Sequence, residues 1–336
     1  METGQVIVTL QDVADRAGVS RSTASLALAG KGRMSDTTRQ RVRAAADELD
    51  YVVNIIARNL RTARSGAVGL YVPDQTLSFR YYMDVAFGAV ERAQESDLLV
   101  TLMPTAFTPR SGITEQLDGF LVIDPVDDDL IVQRLLAGRS PVVAGEHVSD
   151  EMREPWATVF GDHRAGIRML LDHLWERGSR RPAVMLPDPA MAWGREMADG
   201  YYAWCAEKGV EPQRLLGWFD TTMDEVRDAL DALLAGEGRP DAVITAPEGV
   251  AIVALESIRA AGLEPGRDVL IASYVDSDSL AVTQPSITAL DLRPREMGRR
   301  CMELLVRALE GGEREDVEIP ISIIERGSTA DGVPTA

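Results

Sequence analysis

The side chains best able to do chemistry in this chain fall in two groups, and neither has the spacing of a catalytic centre. Near the start, Ser20, Arg21, Ser22, Thr23 and Ser25 crowd into six residues. A guanidinium can donate twice to a guanine edge, and hydroxyls can donate to phosphate oxygens, so this run carries the donors that nucleic-acid recognition needs. Further on, His147, His163, His173, Cys205 and Cys301 are scattered without metal-ligand pairing or a disulfide framework. His163, beside Arg164, reads as a solvated helix start. There is no Gly-x-Ser-x-Gly elbow, P-loop or dinucleotide fingerprint, and Gly30-Lys31-Gly32 lacks the rest of a phosphate loop. The expectation is a protein that is not an enzyme and uses no cofactor or metal.

The polar run needs a rigid support, and the flanking residues supply one. Thr9 is a good N-cap, and Leu10, Val13, Ala14 and Ala17 fall on one helical face. Gly18 can take the left-handed conformation that ends a helix, and Ser20 caps a second helix over about 21–29. Small Ala24 and larger Leu28 face inward there, so that two helices cross closely. A third helix starts at Ser35 or Asp36 with an apolar stripe of Val42, Ala45, Ala46 and Leu49. This is the pattern of a helix-turn-helix, whose second helix enters the major groove; a plain helical hairpin is the other reading of it.

Residues 9–61 decide between them by resemblance to the lactose-repressor (LacI-type) family. The matching pieces are T-L-x-D-V-A-x-x-A-G-V-S from Thr9, the Ser22-Thr23 pair, S-x-x-T-R-x-R-V from Ser35 and N-x-x-A-R-x-L from Asn54. The resemblance implies a DNA reader over 1–52 and a hinge helix with linker over 53–65. It implies base contacts from Arg21 and Ser22, phosphate contacts from Thr9, Thr23, Ser25 and Asn54, and a hinge contact from Arg58. Leu60 matches a leucine wedged into the minor groove, where it kinks the duplex; a core leucine is the alternative. Leu26 stands where many members carry a polar base reader, Ala24 replaces a valine, and Val53 replaces a proline.

From Gly66 the chain alternates apolar strands with amphipathic helices, the signature of doubly wound parallel sheets. Strands are expected at 67–72, 98–103, 120–123, 142–144, 183–186, 215–219, 242–245 and 269–273. Helices are expected at 80–96, 127–138, 164–177, 195–208, 223–235, 248–261 and 295–310. The resemblance extends over this stretch and implies a periplasmic-binding-protein-like body. Its first lobe is 66–161 with 291–318, its second 162–290 with 319–336, and an effector cleft lies between them. Between Met103 and Asp118 the connector is compressed, which could alter the dimer face.

Matched pocket positions are Tyr81, His147, Asp162, Phe219, Glu248 and Asp276, with Trp193 and Arg195 nearby. Each has a plainer reading: Tyr81 and Phe219 as core, His147 as a loop residue, Asp162 as a helix cap. Where the family places polar clamps, this chain has Met197, Pro247 and Val275. The expected effector is therefore aromatic, heterocyclic or glycosidic rather than a bare polyol. Control by a protein partner, or by no effector, is the alternative.

The charge distribution agrees with this division. Of 336 residues, the first 65 carry ten basic and seven acidic side chains, a net of +3, and the remainder 25 and 46, a net of −21. An acidic body is repelled by DNA, so contact with it belongs to the N-terminal segment. The polar start lacks a signal peptide's apolar stretch, no run reaches the length of a membrane span, and a cytoplasmic protein is expected. Beyond Thr329 there are no apolar heptads, which favours a homodimer on a palindromic operator over a tetramer.

Overall fold

The computed structural model describes residues 8–28, 30, 32–51, 64–73, 80–103, 114–187, 189–216, 221–246 and 249–330. The chain divides into two compact units, Met1–Ser65 and Gly66–Ala336.

The first unit is three helices, α1 (Leu10–Ala17), α2 (Arg21–Leu28) and α3 (Asp36–Glu48). Thr9 and Asp12 cap α1 reciprocally: Asp12 N–H donates to Thr9 Oγ1 at 3.4 Å, and Thr9 N–H to Asp12 Oδ2 at 2.8 Å. Gly18, at φ 63°, ends the helix. Thr23 N–H donates to Ser20 Oγ at 3.1 Å and starts α2. The core is Val13, Ala14, Ala17, Ala24, Ala27, Val42, Ala45 and Ala46, with Leu28 and Leu49 packed on it. With six alanines in it, this core lets the helices approach closely but buries little apolar area, so the module lies near the lower limit of independent stability. The expected hinge helix, including Asn54, Arg58 and Leu60, lies outside the described residues, as does most of the compressed connector.

The second unit has two six-stranded sheets. Its elements are β1 (Ala67–Tyr71), α4 (Arg80–Gln94), β2 (Leu99–Leu102), β3 (Phe120–Ile123), α5 (Leu130–Ala137), β4 (Val142–Gly145), β5 (Ala157–Gly161) and α6 (His163–Glu176). They continue with β6 (Pro182–Leu186), α7 (Ala192–Lys208), β7 (Gln213–Leu216), α8 (Met223–Ala235), β8 (Ala242–Thr245) and α9 (Val250–Ala260). The last are β9 (Leu270–Ser273), α10 (Asp278–Ala281), β10 (Thr288–Asp291), α11 (Pro294–Leu309), β11 (Val317–Ile319) and β12 (Ser322–Ile324).

The first sheet runs β11-β5-β4-β3-β1-β2, all parallel. The second runs β12-β10-β9-β8-β6-β7, parallel except for β12. The inner strands of each sheet are buried on both faces, which is why they read as continuous apolar runs rather than alternating ones, while the edge strand β2 is largely exposed. In the first, α4 and α11 cover one face and α5 the other. In the second, α8 and α9 cover one face and α6 and α7 the other. The chain passes between sheets after β5, after β10 and between β11 and β12. Strands β5, β10, β11 and β12, absent from the strand list drawn from sequence, lie at these passages.

Candidate nucleic-acid interface and ligand cleft

On α2 the inward positions are Ala24 and Ala27, which leaves Arg21, Ser22 and Leu26 exposed with Ser25 beside them. Arg21 with Ser25, and Ser22 with Leu26, stand four apart and form two adjacent rows of one broad helix face. Arg21 makes no ion pair among the described residues, so its guanidinium is available. Leu26, 45% exposed, makes that face partly apolar and suits contact with a thymine methyl. Two of the expected phosphate donors are engaged: Thr9 Oγ1 donates to Asp12 Oδ2 at 2.7 Å, and the Thr23 and Ser20 hydroxyls lie 2.7 Å apart. Each must turn away from its partner to reach a phosphate.

In the second unit, parallel strands of both sheets end at the seam between the lobes, where open α/β sheets bind ligands. Two acids stand there. Asp124 directly follows β3 at φ 47°, and Glu146 directly follows β4 at φ 81°. A non-glycine residue in the left-handed region carries backbone strain, and here both still bond the sheet: Asp124 N–H donates to Gly145 O at 2.8 Å, and Glu146 N–H to Val159 O at 2.7 Å. Both side chains are buried, at 4% and 3% exposure. Tyr82 Oη donates to Asp124 Oδ2 at 2.5 Å. Burial, reinforced by the charge of Glu146, nevertheless pushes the Asp124 carboxyl up to about 7.

Glu146 accepts from Gly161 N–H at 3.3 Å and faces His163 Nε2 at 3.0 Å. The latter contact is off the line of a directed hydrogen bond and becomes an ion pair when the imidazole is protonated. His163 Nδ1 lies 2.9 Å from Tyr274 Oη. Burial opposes charge on this imidazole, but Glu146, with Asp124 and Glu196 beyond it, more than offsets that, and its pKa is raised. The solvated helix start expected at His163 is therefore wrong: the residue is 4% exposed, because Glu146 and Tyr274 draw the first turn of α6 into the seam.

Of the pocket positions read from sequence, Tyr81 and Trp193 join this cluster. Tyr81 packs edge-on against Tyr82 at 5.1 Å, and its phenol pKa is well raised by burial, then by Asp124 and Glu146. Trp193 stacks on Tyr274 at 6.3 Å, and its buried indole N–H finds no partner among the described residues. Beside the cluster, His147 and Arg195 line a groove of about 1010 Å³ with Asp127, Gln133 and Glu196. Arg195 pairs with Asp127 at 2.6 Å, and His147 Nδ1 lies 3.1 Å from Glu196 Oε1.

Asp162 and Asp276 are occupied elsewhere. Asp162 is exposed and caps α6, accepting from Ala165 N–H at 2.9 Å. Asp276 is held by Arg326 through contacts of 2.7 and 3.0 Å. Phe219 and Glu248 lie outside the described residues. Met197 is fully buried in the core, and Val275 packs against that core, so neither offers a polar clamp. Sequence reasoning missed Asp124, Glu146, Tyr82 and Tyr274. Their signal was position: acids directly after the apolar runs Phe120–Ile123 and Val142–Gly145.

Residues 9–54 match the family described as bacterial regulatory proteins, lacI family, and residues 171–329 match a periplasmic binding protein-like domain. The chain is 31% identical over 325 residues to the HTH-type transcriptional regulator CelR of Thermobifida fusca, covering 93% of this chain and 94% of that one. The chain belongs to the LacI family. It is thus a DNA-binding transcription regulator built from a helix-turn-helix reader and a two-lobed sensing body. Another LacI-family relative, the lactose operon repressor of Escherichia coli K12, is 25% identical, covering 96% of this chain and 91% of that one. Among solved structures, a lac repressor dimer bound to operator and the anti-inducer ONPF shares this family fold at a TM-score of 0.74 and 23% identity, covering 96% and 99% of the two chains. A CelR–cellobiose complex matches at 0.67 and 28%, with the same coverages. Among the described residues, no helix is long and apolar enough to cross a membrane.

Proposed function

We propose that this regulator is a repressor acting in the cytoplasm, without a catalytic role. It binds a palindromic operator as a homodimer through the Arg21–Ser22–Ser25–Leu26 face, and a glycosidic small molecule in the cleft alters its grip on DNA. The observation that carries the reading is the exposed α2 face over an alanine core, in a chain whose residues beyond 65 carry a net charge of −21. A guanidinium bidentate to guanine discriminates by about 1–3 kcal/mol. Arg21→Ala should therefore relax specificity at one base pair of each half-site while leaving the exposed helix folded. Competition binding across operator variants tests this, and uniform weakening at every sequence would reduce Arg21 to a phosphate contact.

For the effector, CelR's cellobiose complex and the cleft's own chemistry support the same class. Tyr81, Trp193 and Tyr274 offer flat faces, and the indole N–H with the Asp124 and Glu146 carboxylates offers a few polar groups. With Met197 buried in the core and Val275 apolar, no polar clamp stands at either position, and each hydroxyl of a bare polyol left unpartnered costs about 1–3 kcal/mol on mutational scales. Tryptophan fluorescence and operator release should respond to cellobiose or an aryl glycoside at concentrations at least tenfold below those needed for glucose. Tight, DNA-coupled binding of glucose would overturn this choice. Silence toward all three would favour control by a protein partner.

A further inference from the structure

The chain has three histidines, and two of them face a glutamate across the lobes. Glu146 and His147 are consecutive residues after β4 of the first lobe. Opposite them stand His163, which opens α6, and Glu196 of α7, both in the second lobe. Glu146 meets His163 at 3.0 Å and His147 meets Glu196 at 3.1 Å, so each side presents one acid and one base to the other. The third histidine, His173, is bound to Thr329 in the second lobe and takes no part.

Other contacts bring the same edges together. Val126 forms an antiparallel bridge with Met191, Asp127 N–H donates to Ala190 O at 3.1 Å, and Arg195 reaches Asp127. We propose that the crossed Glu146–His163 and His147–Glu196 pairs are a proton-operated clasp that holds the two lobes together and lets them part when the imidazoles lose their protons.

The groups around each imidazole set the sign. His147 packs against Phe160 at 4.3 Å with its ring tilted by 33°, and faces Glu196, with Glu146 and His163 behind it. The groove beside it also presents the Arg195–Asp127 and Arg164–Asp199 pairs, Asp150, Glu151 and Arg153. The hydrogen bond to Glu196 raises the pKa of His147, against partial burial. His163 faces Glu146, Asp124, Glu196 and Tyr274, and is raised as well. Asp124, from β3, is pushed up to about 7 by burial and Glu146. Both imidazoles, each facing a glutamate of the other lobe, hold protons more tightly in the closed seam than free in water, so closing takes protons up. The extra stability of the closed state is complete below the ordinary imidazole value of about 6.5 and is lost as pH rises through the raised values. For each proton taken up, the closed-to-open ratio falls by up to about tenfold per pH unit. Because Tyr81, Asp124 and Trp193 lie at the same seam, the clasp governs access to the cleft.

Amide hydrogen exchange on the full-length protein reads the clasp directly. After correction for the intrinsic rate, protection of the Asp127 amide, which bonds across the seam, should fall at least tenfold between pH 6 and pH 8. Histidine NMR should show His147 and His163 titrating above the ordinary value, and Glu196→Gln should return His147 toward it. That variant, on the half-exposed pair, should also flatten the pH slope of protection, and His163→Gln should flatten it further. Should His163→Gln fail to fold, Glu196→Gln alone decides. Protection unchanged between pH 6 and pH 8 in the native protein, or the same slope in Glu196→Gln, overturns the proposal.

Discussion

Operator affinity should fall by about 10³–10⁵ when salt is raised from 50 to 200 mM, the largest response expected of this protein. That range corresponds to a dimer neutralising about 6–10 phosphates, each contact releasing condensed counterions. The N-terminal segment has the favourable balance of charge, +3 over the first 65 residues against −21 over the rest. An acidic body strengthens the dependence on the reader, since its net negative charge repels the phosphates. Removing residues 1–51 should therefore abolish binding, while the body, a separate compact unit with its own cores, keeps its fold. Fluorescence anisotropy across a salt series measures both effects. A flat salt response, or undiminished binding by the truncated chain, would place the DNA-binding surface elsewhere.

The reader was legible because its signals are local. Thr9, Gly18, Ser20 and Ser35 act on backbone groups within three or four residues of themselves, and the caps appear where those residue types demand them. The sheets were legible for a related reason: strands buried on both faces form unbroken apolar runs, and Phe120–Ile123 and Ala242–Thr245 keep the bounds their hydropathy suggests. Strands β11 and β12 are only three residues long, and their pairing depends on partners more than 30 positions away. Nothing local marks them.

The cleft was harder to read because its chemistry depends on which side chains meet. Asp276 and Asp162 had suitable types and positions, but Arg326 and the α6 N-terminus claim them. Arg326 is 50 residues from Asp276, a separation over which spacing carries no information. Glu146 was missed by one residue, with attention on its neighbour His147. The two point to different partners because Glu146 turns into the left-handed region, a backbone choice that residue type does not announce.

Gly298→Ala should be the most damaging single-methyl change in the body. A Cβ built on Gly298 would lie 1.8 Å from Val85 O, and one on Gly88 would lie 2.0 Å from Arg295 O. Helices α4 and α11 thus touch backbone to backbone, and these two glycines are the crossing point. Alanine gains up to about 1 kcal/mol of helix propensity over glycine. That gain cannot prevail, because the obstructing atoms are main-chain carbonyl oxygens that no rotamer change can move. The helices must separate instead, which loosens Met297, Cys301, Met302 and Leu305 from a close-packed core. Overpacking of this kind costs about 1–3 kcal/mol or more, and a net loss of about 2 kcal/mol is expected in chemical denaturation. Gly236→Ala is the control: its φ is −75° and its nearest neighbour would be 3.5 Å away, so stability should change by less than about 0.5 kcal/mol. Equal stability of the two variants would show that α4 and α11 do not meet at their backbones. The displacement should also reach the cleft, since the first turn of α4 carries Tyr81 and Tyr82. Shifting that turn lengthens the Tyr82–Asp124 bond, so Gly298→Ala should weaken effector binding even at temperatures where the body remains folded.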